Sequence, residues 1–276
     1  MARLVEQGGE GSDGSRRKSA RLEWPAVFTV PPRAIVLVVG AWVLVAWIIF
    51  LAADIFRVIN LSESYPAWSL LFNDRPVEWT QWLLQGAAIL TAGFVAGRIE
   101  NPSYRGVRTF LVLLGAGLVL MLFEDAGDVR HVISGGLHAL GVFGDTLGGL
   151  PYRVVSDIPY LLAISALPLL ALVLHGRDAW RATSARGYLV SAYLLYAIAG
   201  GGSGLRHIGD LYITIGAAID RIVFAGRFPV PEGMIQERAH FYILDSLIEE
   251  SIETMAAAAF LAAILAIGRE VRRRAM

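Results

Sequence analysis

The sequence predicts an all-α, polytopic membrane protein of six transmembrane helices with N- and C-termini cytoplasmic, plus an interfacial amphipathic helix around 208–224. Three observations carry that reading. Hydrophobic residues make up 55% of the chain against 17% charged, and the mean hydropathy is +0.56, which leaves too little polar material to cover a soluble domain. Six apolar stretches approach the roughly 20 residues that a helix needs to cross a hydrocarbon core of roughly 30 Å. The arginines between those stretches alternate from rich to poor, as they do when short cytoplasmic loops hold the basic residues.

Taken in order, residues 1–33 form a basic cytoplasmic tail with the run Arg16-Arg17-Lys18 and little to bury, so disorder and contact with anionic lipid are expected of it. The polar stretch ahead of the first apolar run is too long for a secretory signal, and no nucleic-acid contact is expected from the basic run. The spans are 34–53, 78–97, 109–124, 157–174, 187–205 and 247–268, giving one transmembrane domain over 34–268 and a basic cytoplasmic tail over 269–276. The third span is short, and the fifth ends in Gly200-Gly201-Gly202-Ser203-Gly204, a run that weakens a helix. That run and Pro168 in the fourth span are where broken helices are expected. Residues 132–150 carry a loose leucine stripe broken by glycines and read as an interfacial or partly re-entrant loop. Residues 208–224 place Ile208, Leu211, Tyr212, Ile215, Ile219, Ile222 and Val223 along one stripe, with Asp210, Asp220 and Arg221 opposite. A helix lying on the outer surface suits them. Counting it as a span would put the arginine-rich C-terminal tail outside.

Charge tests the scheme. Sixteen of the 24 basic residues fall on the proposed inner side, among them Arg98, Arg105, Arg108, Arg177, Arg181 and Arg186, while the acidic residues gather outside. The chain has no cysteine, which excludes disulfides, thiolate metal ligands and a cysteine nucleophile. Residues 77–98 and 248–269 align without gaps, with Glu78 against Glu249 and Gly97-Arg98 against Gly268-Arg269, a weak similarity of the kind that two alanine-rich spans share by chance.

The outer side holds the candidate chemistry. Asp74, Glu78, Asp157, Asp245 and Glu249 are expected at helix N-termini, where carboxylates face the positive end of the dipole. Glu124 and Glu253 resist that account. Each lies 16 residues from the arginine marking its inner boundary, Arg108 or Arg269, which is roughly 24 Å and leaves the carboxylate below the outer edge of the core. A carboxylate at that depth must be protonated, paired with an arginine or histidine, or bound to a cation. Glu124, Asp128 and His131 share one helical face, and Asp245, Glu249 and Glu253 share another. The expected ligand or ion pocket joins Glu124, Asp128, Arg130, His131, Arg206, His207, Asp245, Glu249 and Glu253, with Arg130 and Arg206 as counter-charges and His131 and His207 as ligands or proton carriers. Gln81 and Gln85, on one stripe with Glu78, are expected to make interhelical hydrogen bonds.

Three functions fit such a pocket. The first is a cation, proton or small polar ligand site of transport type in the inner cell membrane, in contact with the lipid bilayer. The second is a metal-dependent hydrolase, with a divalent metal ion held by Glu124, Asp128, His131 and Glu253, although no spacing such as HExxH marks it. The third is a structural or accessory subunit in which pairs such as Glu124 with Arg206 fix helix register, so that every buried acid has an arginine and no cavity reaches it. Nucleotide loops and serine elbows are absent.

Overall fold

The computed structural model describes residues 24–59, 65–73, 75–142, 144, 146–147, 149–206 and 208–275. The basic run at 16–18, Asp74 and His207 lie outside the described residues.

Helix α1 (Pro32–Phe50) opens on a proline, whose fixed φ suits a first turn, and continues into a π-helical turn, Leu51–Ile55. The short α2 (Ala67–Leu71) is seated on Asp54, whose two carboxylate oxygens accept from the backbone N–H groups of Ala67 and Trp68 at 2.8 Å each. Then come α3 (Pro76–Gly97), α4 (Arg105–Gly127) and α5 (Val129–Ala139). A two-residue hairpin follows, β1 (Thr146–Leu147) against β2 (Leu150–Pro151), and then α6 (Tyr152–Ala179), α7 (Arg186–Leu205) and α8 (Leu211–Val223). Helix α9 (Gln236–Tyr242) passes through a second π segment, Ile243–Glu249, into α10 (Glu250–Ala275).

Five helical stretches are long and apolar enough to cross a membrane: Pro32–Ile55, Pro102–Gly127, Tyr152–Ala179, Thr183–Leu205 and Gln236–Arg274. This is the make-up of a multi-pass membrane protein. Helix α3 has 22 residues but is not among the five, because Glu78, Gln81, Gln85 and Thr91 lower its hydropathy.

The core is built around α10, in which Ala256 to Ile267 are buried without a break. Its alanines let neighbouring backbones approach closely, and α3, α7 and α1 pack around it, with α4 on α3 and α6 on α4. Ala88, Ala92 and Val95 of α3 meet Phe260, Ile264 and Ile267 of α10 and Leu111 and Leu114 of α4 in one apolar cluster. A second cluster, with Phe50, Trp68, Phe72, Phe224, Phe228 and Leu247, closes the end where the π segments lie. The outward faces of α1 and α6 remain apolar, with Leu37, Val38, Leu162 and Val173 exposed, as a lipid-facing surface requires.

Several expectations change here. Helices α6 and α7 run unbroken through Pro168 and Gly200 to Gly204. A Cβ on Gly117 would lie 2.3 Å from Pro168 Cδ, so α4 seats the proline ring in a hollow that only glycine leaves open. The interruptions fall instead at the two π segments and at Asp128, whose φ of +47° ends α4 and turns the chain into α5. The described part of residues 132–150 contains most of α5 and of the β1–β2 hairpin. The last helix begins at Gln236 rather than at 247, so Asp245 and Glu249 sit inside it and not at its N-terminus, and Asp157 is likewise inside α6. Of the three charges expected outward around α8, Asp210 and Arg221 are exposed but Asp220 is buried, while Ile222 and Val223 of the apolar stripe are exposed. Asp220 accepts from Phe228 N–H at 3.0 Å and lies 3.2 Å from His240 Nε2, which ties α8 to α9.

Candidate functional site

A cavity of about 520 Å³ opens among α3, α4, α6, α7 and α10. Its lining includes Glu124, Asp128, Arg130, His131, Arg206, Glu249 and Glu253 from the expected pocket, and adds Gln81, Asp125 and Glu250. Asp245 stands behind Arg206, outside the lining, and His207 lies outside the described residues.

Two arginines organise one side. The turn at Asp128 brings Arg130 back over the end of α4, where its backbone N–H donates to Glu124 Oε2 at 3.0 Å and its Nε stands 3.3 Å from Glu124 Oε1. The same Nε is 3.8 Å from Asp157 Oδ2 of α6. Glu124, Arg130 and Asp157 are all buried, so each charge is held in low dielectric by its partners. Arg206, at the end of α7, donates from Nη1 to Asp245 at 2.8 Å and from Nη2 to Glu249 at 3.2 Å. Tyr212 donates to the other Glu249 oxygen at 3.0 Å. The buried Ser203 hydroxyl accepts from both Arg130 and Arg206, which joins the two ion-pair groups into one frame. Burial opposes the Arg206 charge, but Glu249 and Asp245 more than offset it and hold the guanidinium above its usual pKa. Burial, reinforced by Glu249, pushes the Tyr212 phenol up, so it remains a donor. The expected pair Glu124 with Arg206 does not form, because Arg130 is folded onto Glu124 and Arg206 is taken by Asp245 and Glu249.

The other side has carboxyls without counter-charges. Asp125, one residue past Glu124 and turned toward α3, accepts from Gln81 Nε2 at 2.9 Å and Gln85 Nε2 at 2.6 Å. Gln81 Nε2 also donates to Glu253 Oε2 at 2.9 Å, and Gln85 Nε2 lies 3.0 Å from the Tyr196 hydroxyl. Glu250 adds a buried Oε2 that no protein group meets, and the Oε1 atoms of the fully buried Gln81 and Gln85 are equally unpartnered. Among the described residues no ion pair reaches Asp125, Glu250 or Glu253. The π segment explains why two adjacent glutamates, Glu249 and Glu250, both line the cavity: the widened turn shifts register just ahead of α10.

Asp128 and His131 pair with each other at the mouth, with the Asp128 side chain 69% exposed. They are therefore not gathered with Glu124 and Glu253. Among the described residues no group of three or more His, Asp or Glu side chains is arranged to hold a metal ion. The metal set Glu124, Asp128, His131 and Glu253 is dispersed for a physical reason: Arg130 occupies Glu124, His131 occupies Asp128, and Gln81 occupies Glu253.

No protein-family model, curated protein or solved structure matches the chain. The site therefore has to speak through its chemistry, and that chemistry is divided. A frame of two arginines and four acids adjoins a sector in which Asp125, Glu250, Glu253, Gln81 and Tyr196 line the cavity, with Gln85 behind them.

The sequence puts Asp125 and Glu250 among the outer-side charges but not in the expected pocket, and gives no sign of Tyr196. The usable signal was the amide pair Gln81 and Gln85 one turn apart on α3, since amides at that spacing aim donors at one neighbour.

Proposed function

We propose that the protein is a six-span membrane protein of the inner cell membrane, both termini cytoplasmic, whose outer-side cavity binds a cation or protons in a transport-type cycle. Helix α3 supplies the sixth span: at about 1.5 Å per residue its 22 residues reach roughly 33 Å, and its polar groups point at Asp125 and Glu253 rather than at lipid. The basic residues between the other helices support the orientation.

One observation carries the binding assignment: among the described residues, Asp125, Glu250 and Glu253 share a cavity without an ion-pair partner. Like charges this close in a water-poor site need positive company, which protons or an entering cation provide. Gln81 positions two of the three. The Arg130 and Arg206 groups form the wall of the site, each guanidinium held between two carboxylates. Asp128 and His131 at the mouth are suited to pass a proton between bulk water and the interior. An accessory subunit would have each buried acid matched with an arginine and no cavity beside it, and these three carboxyls depart from that pattern.

The test is cation-for-proton exchange. Sodium, potassium and methylammonium are titrated in turn into detergent-purified protein in weakly buffered solution, with an indicator dye reading proton release. Infrared difference spectra follow the conversion of carboxylic acid to carboxylate. Release with at least one cation, abolished in the Glu250→Gln, Glu253→Gln double variant, is expected. Silence with all three cations, and no protonated carboxyl band, would overturn the reading.

A further inference from the structure

The cavity has a second half that a small inorganic ion would not use. Across from the carboxyls the lining is hydrocarbon from α6, with Leu161, Ile164 and Leu169, and an aromatic row runs along the remaining wall. In that row Phe260 stands between Tyr193 and Tyr196, with ring centroids at 5.0 Å and 5.5 Å. A volume near 520 Å³ falls in the range of roughly 300–1,000 Å³ typical of small-molecule pockets. A metal ion satisfied by a few oxygens would leave most of it empty.

The flank of the cavity is also open. Two contacts join helices α6 and α7 on either side of this flank. A Cβ on Gly204 would lie 3.5 Å from Leu161 Cδ1, and further along the Tyr193 hydroxyl donates to the Pro168 carbonyl at 2.9 Å. Between these points, over roughly 16 Å of helix at about 1.5 Å per residue, α7 offers Ala197, Gly200 and Gly201. A Cβ on either of these two glycines would find nothing within 4 Å. Leu162, 62% exposed, and Ala197 and Gly201, also exposed, line the cavity and the outer flank at once. The gap is a lateral window on the apolar side of the bundle.

We infer that the occupant is an amphipathic organic ammonium, its N–H donors on Glu250, Glu253 and the Gln81 carbonyl and its apolar body against α6 and the Tyr193–Phe260–Tyr196 row, entering from the membrane through the α6–α7 window. The fit is one of chemistry as well as shape. The unpartnered buried atoms of Gln81 and Glu250 are acceptors, so the missing partner is a donor. The charge it must carry is positive, and aromatic faces beside the carboxyls favour a cation further. This inference rests on the cation-binding reading above and adds the ligand class.

Rhodamine 6G, a lipophilic cation with N–H donors, is the probe, added to the full-length protein in nanodiscs and followed by fluorescence anisotropy. Saturable binding is expected, weakened at least tenfold in the Glu250→Gln, Glu253→Gln double variant. A second measurement uses only native protein: rhodamine 6G should slow dicyclohexylcarbodiimide labelling of Glu250 and Glu253, read by peptide mass. If methylammonium releases protons but rhodamine 6G shows no saturable binding, the ligand class is overturned and the cation site stands. If rhodamine 6G does not bind and sodium, potassium and methylammonium are all silent with no protonated carboxyl band, both readings fall; release with sodium or potassium alone overturns only the ligand class. Saturable binding that leaves the labelling rate unchanged would place the probe elsewhere and overturn the assignment.

Discussion

Asp125 and Glu253, on different helices and 128 positions apart in the chain, accept from the same nitrogen, Gln81 Nε2, at 2.9 Å each, so their carboxyls stand within about 6 Å of one another. A single neutral donor joins two acids where an arginine would have cancelled them. That choice leaves net negative charge available to a ligand, and it makes α3, whose amides face inward, the keystone between α4 and α10.

Replacing Gln81 with leucine keeps the volume and removes the shared donor. Glu253 then loses that donor while Asp125 keeps Gln85, and the expected cost is about 2 kcal/mol, since a buried group left unmet costs about 1–3 kcal/mol. Thermal unfolding in one detergent should show a clear fall for Gln81→Leu and almost none for Leu83→Ala, at a side chain 75% exposed on the same helix. An equal fall in both would deny the amide its role.

Arg206 is expected to matter more. Its removal in Arg206→Ala leaves Asp245 and Glu249 buried with no cation, and breaking such a pair costs about 3–5 kcal/mol. Neutralising the partners as well, in a triple variant with Asp245→Asn and Glu249→Gln, should recover much of the loss. A triple variant no more stable than Arg206→Ala would mean that packing, not charge, is what the arginine provides.

Much of the bundle was legible because an apolar run of span length is hard to place elsewhere: the cores of α1, α4, α6, α7 and α10 coincide with runs visible in the sequence. The starts of the polar-ended helices were not. The last helix begins at Gln236, yet Asp245 and Glu249 looked like its N-terminus because hydropathy rises only after them. Inside a bundle those acids meet Arg206 and Tyr212, contacts that span α7 and α8 and leave no local trace. Depth along a helix could be counted, which singled out Glu124 and Glu253. Helical faces could be counted only while the helix continued: α4 ends at Asp128, so the face shared by Glu124, Asp128 and His131 does not exist, Asp125 faces the cavity one residue further round, and Arg130 could be paired with Glu124 only once the left-handed turn was known.

That turn gives a prediction of unusual sign. Asp128 holds a φ of +47°, a region that costs a residue with a Cβ and suits glycine. Its side chain is 69% exposed and its one partner, His131, is at the surface, so little is lost with the carboxylate. Asp128→Gly should leave stability unchanged or raise it by up to about 1 kcal/mol, while Asp128→Ala should lower it. Thermal unfolding of the pair decides the matter, and a less stable glycine variant would show that the Asp128–His131 pair outweighs the backbone strain.

Gly117→Ala should destabilise by about 1–3 kcal/mol, because the new methyl would meet the Pro168 ring at 2.3 Å from Cδ and the α4–α6 contact would have to open. Pro168→Ala removes the ring and should suppress the effect of the first change, so the two together should cost less than the sum of the two alone. Simple additivity would mean that α4 relaxes elsewhere.

The membrane status of α3 separates six spans from five, and the absence of cysteine makes the chain ready for labelling from outside. Single cysteines at Val58, Ser103, Val142, Thr183 and Arg227 sit in successive connections between the long helices, all at exposed positions. If α3 crosses, Val58 shares a side with Val142 and Arg227, and a membrane-impermeant maleimide added to intact cells labels those three but not Ser103 or Thr183. If α3 does not cross, every later connection changes sides and Val58 is labelled together with Ser103 and Thr183. The pattern does not depend on labelling efficiency at any one position, because the two schemes assign opposite partners to Val58. The first pattern is expected, since α3 hides its amides against Asp125, Glu253 and Tyr196 while Leu83 and Leu90 face outward, 75% and 76% exposed. A helix polar only toward its neighbours can sit at full depth in lipid.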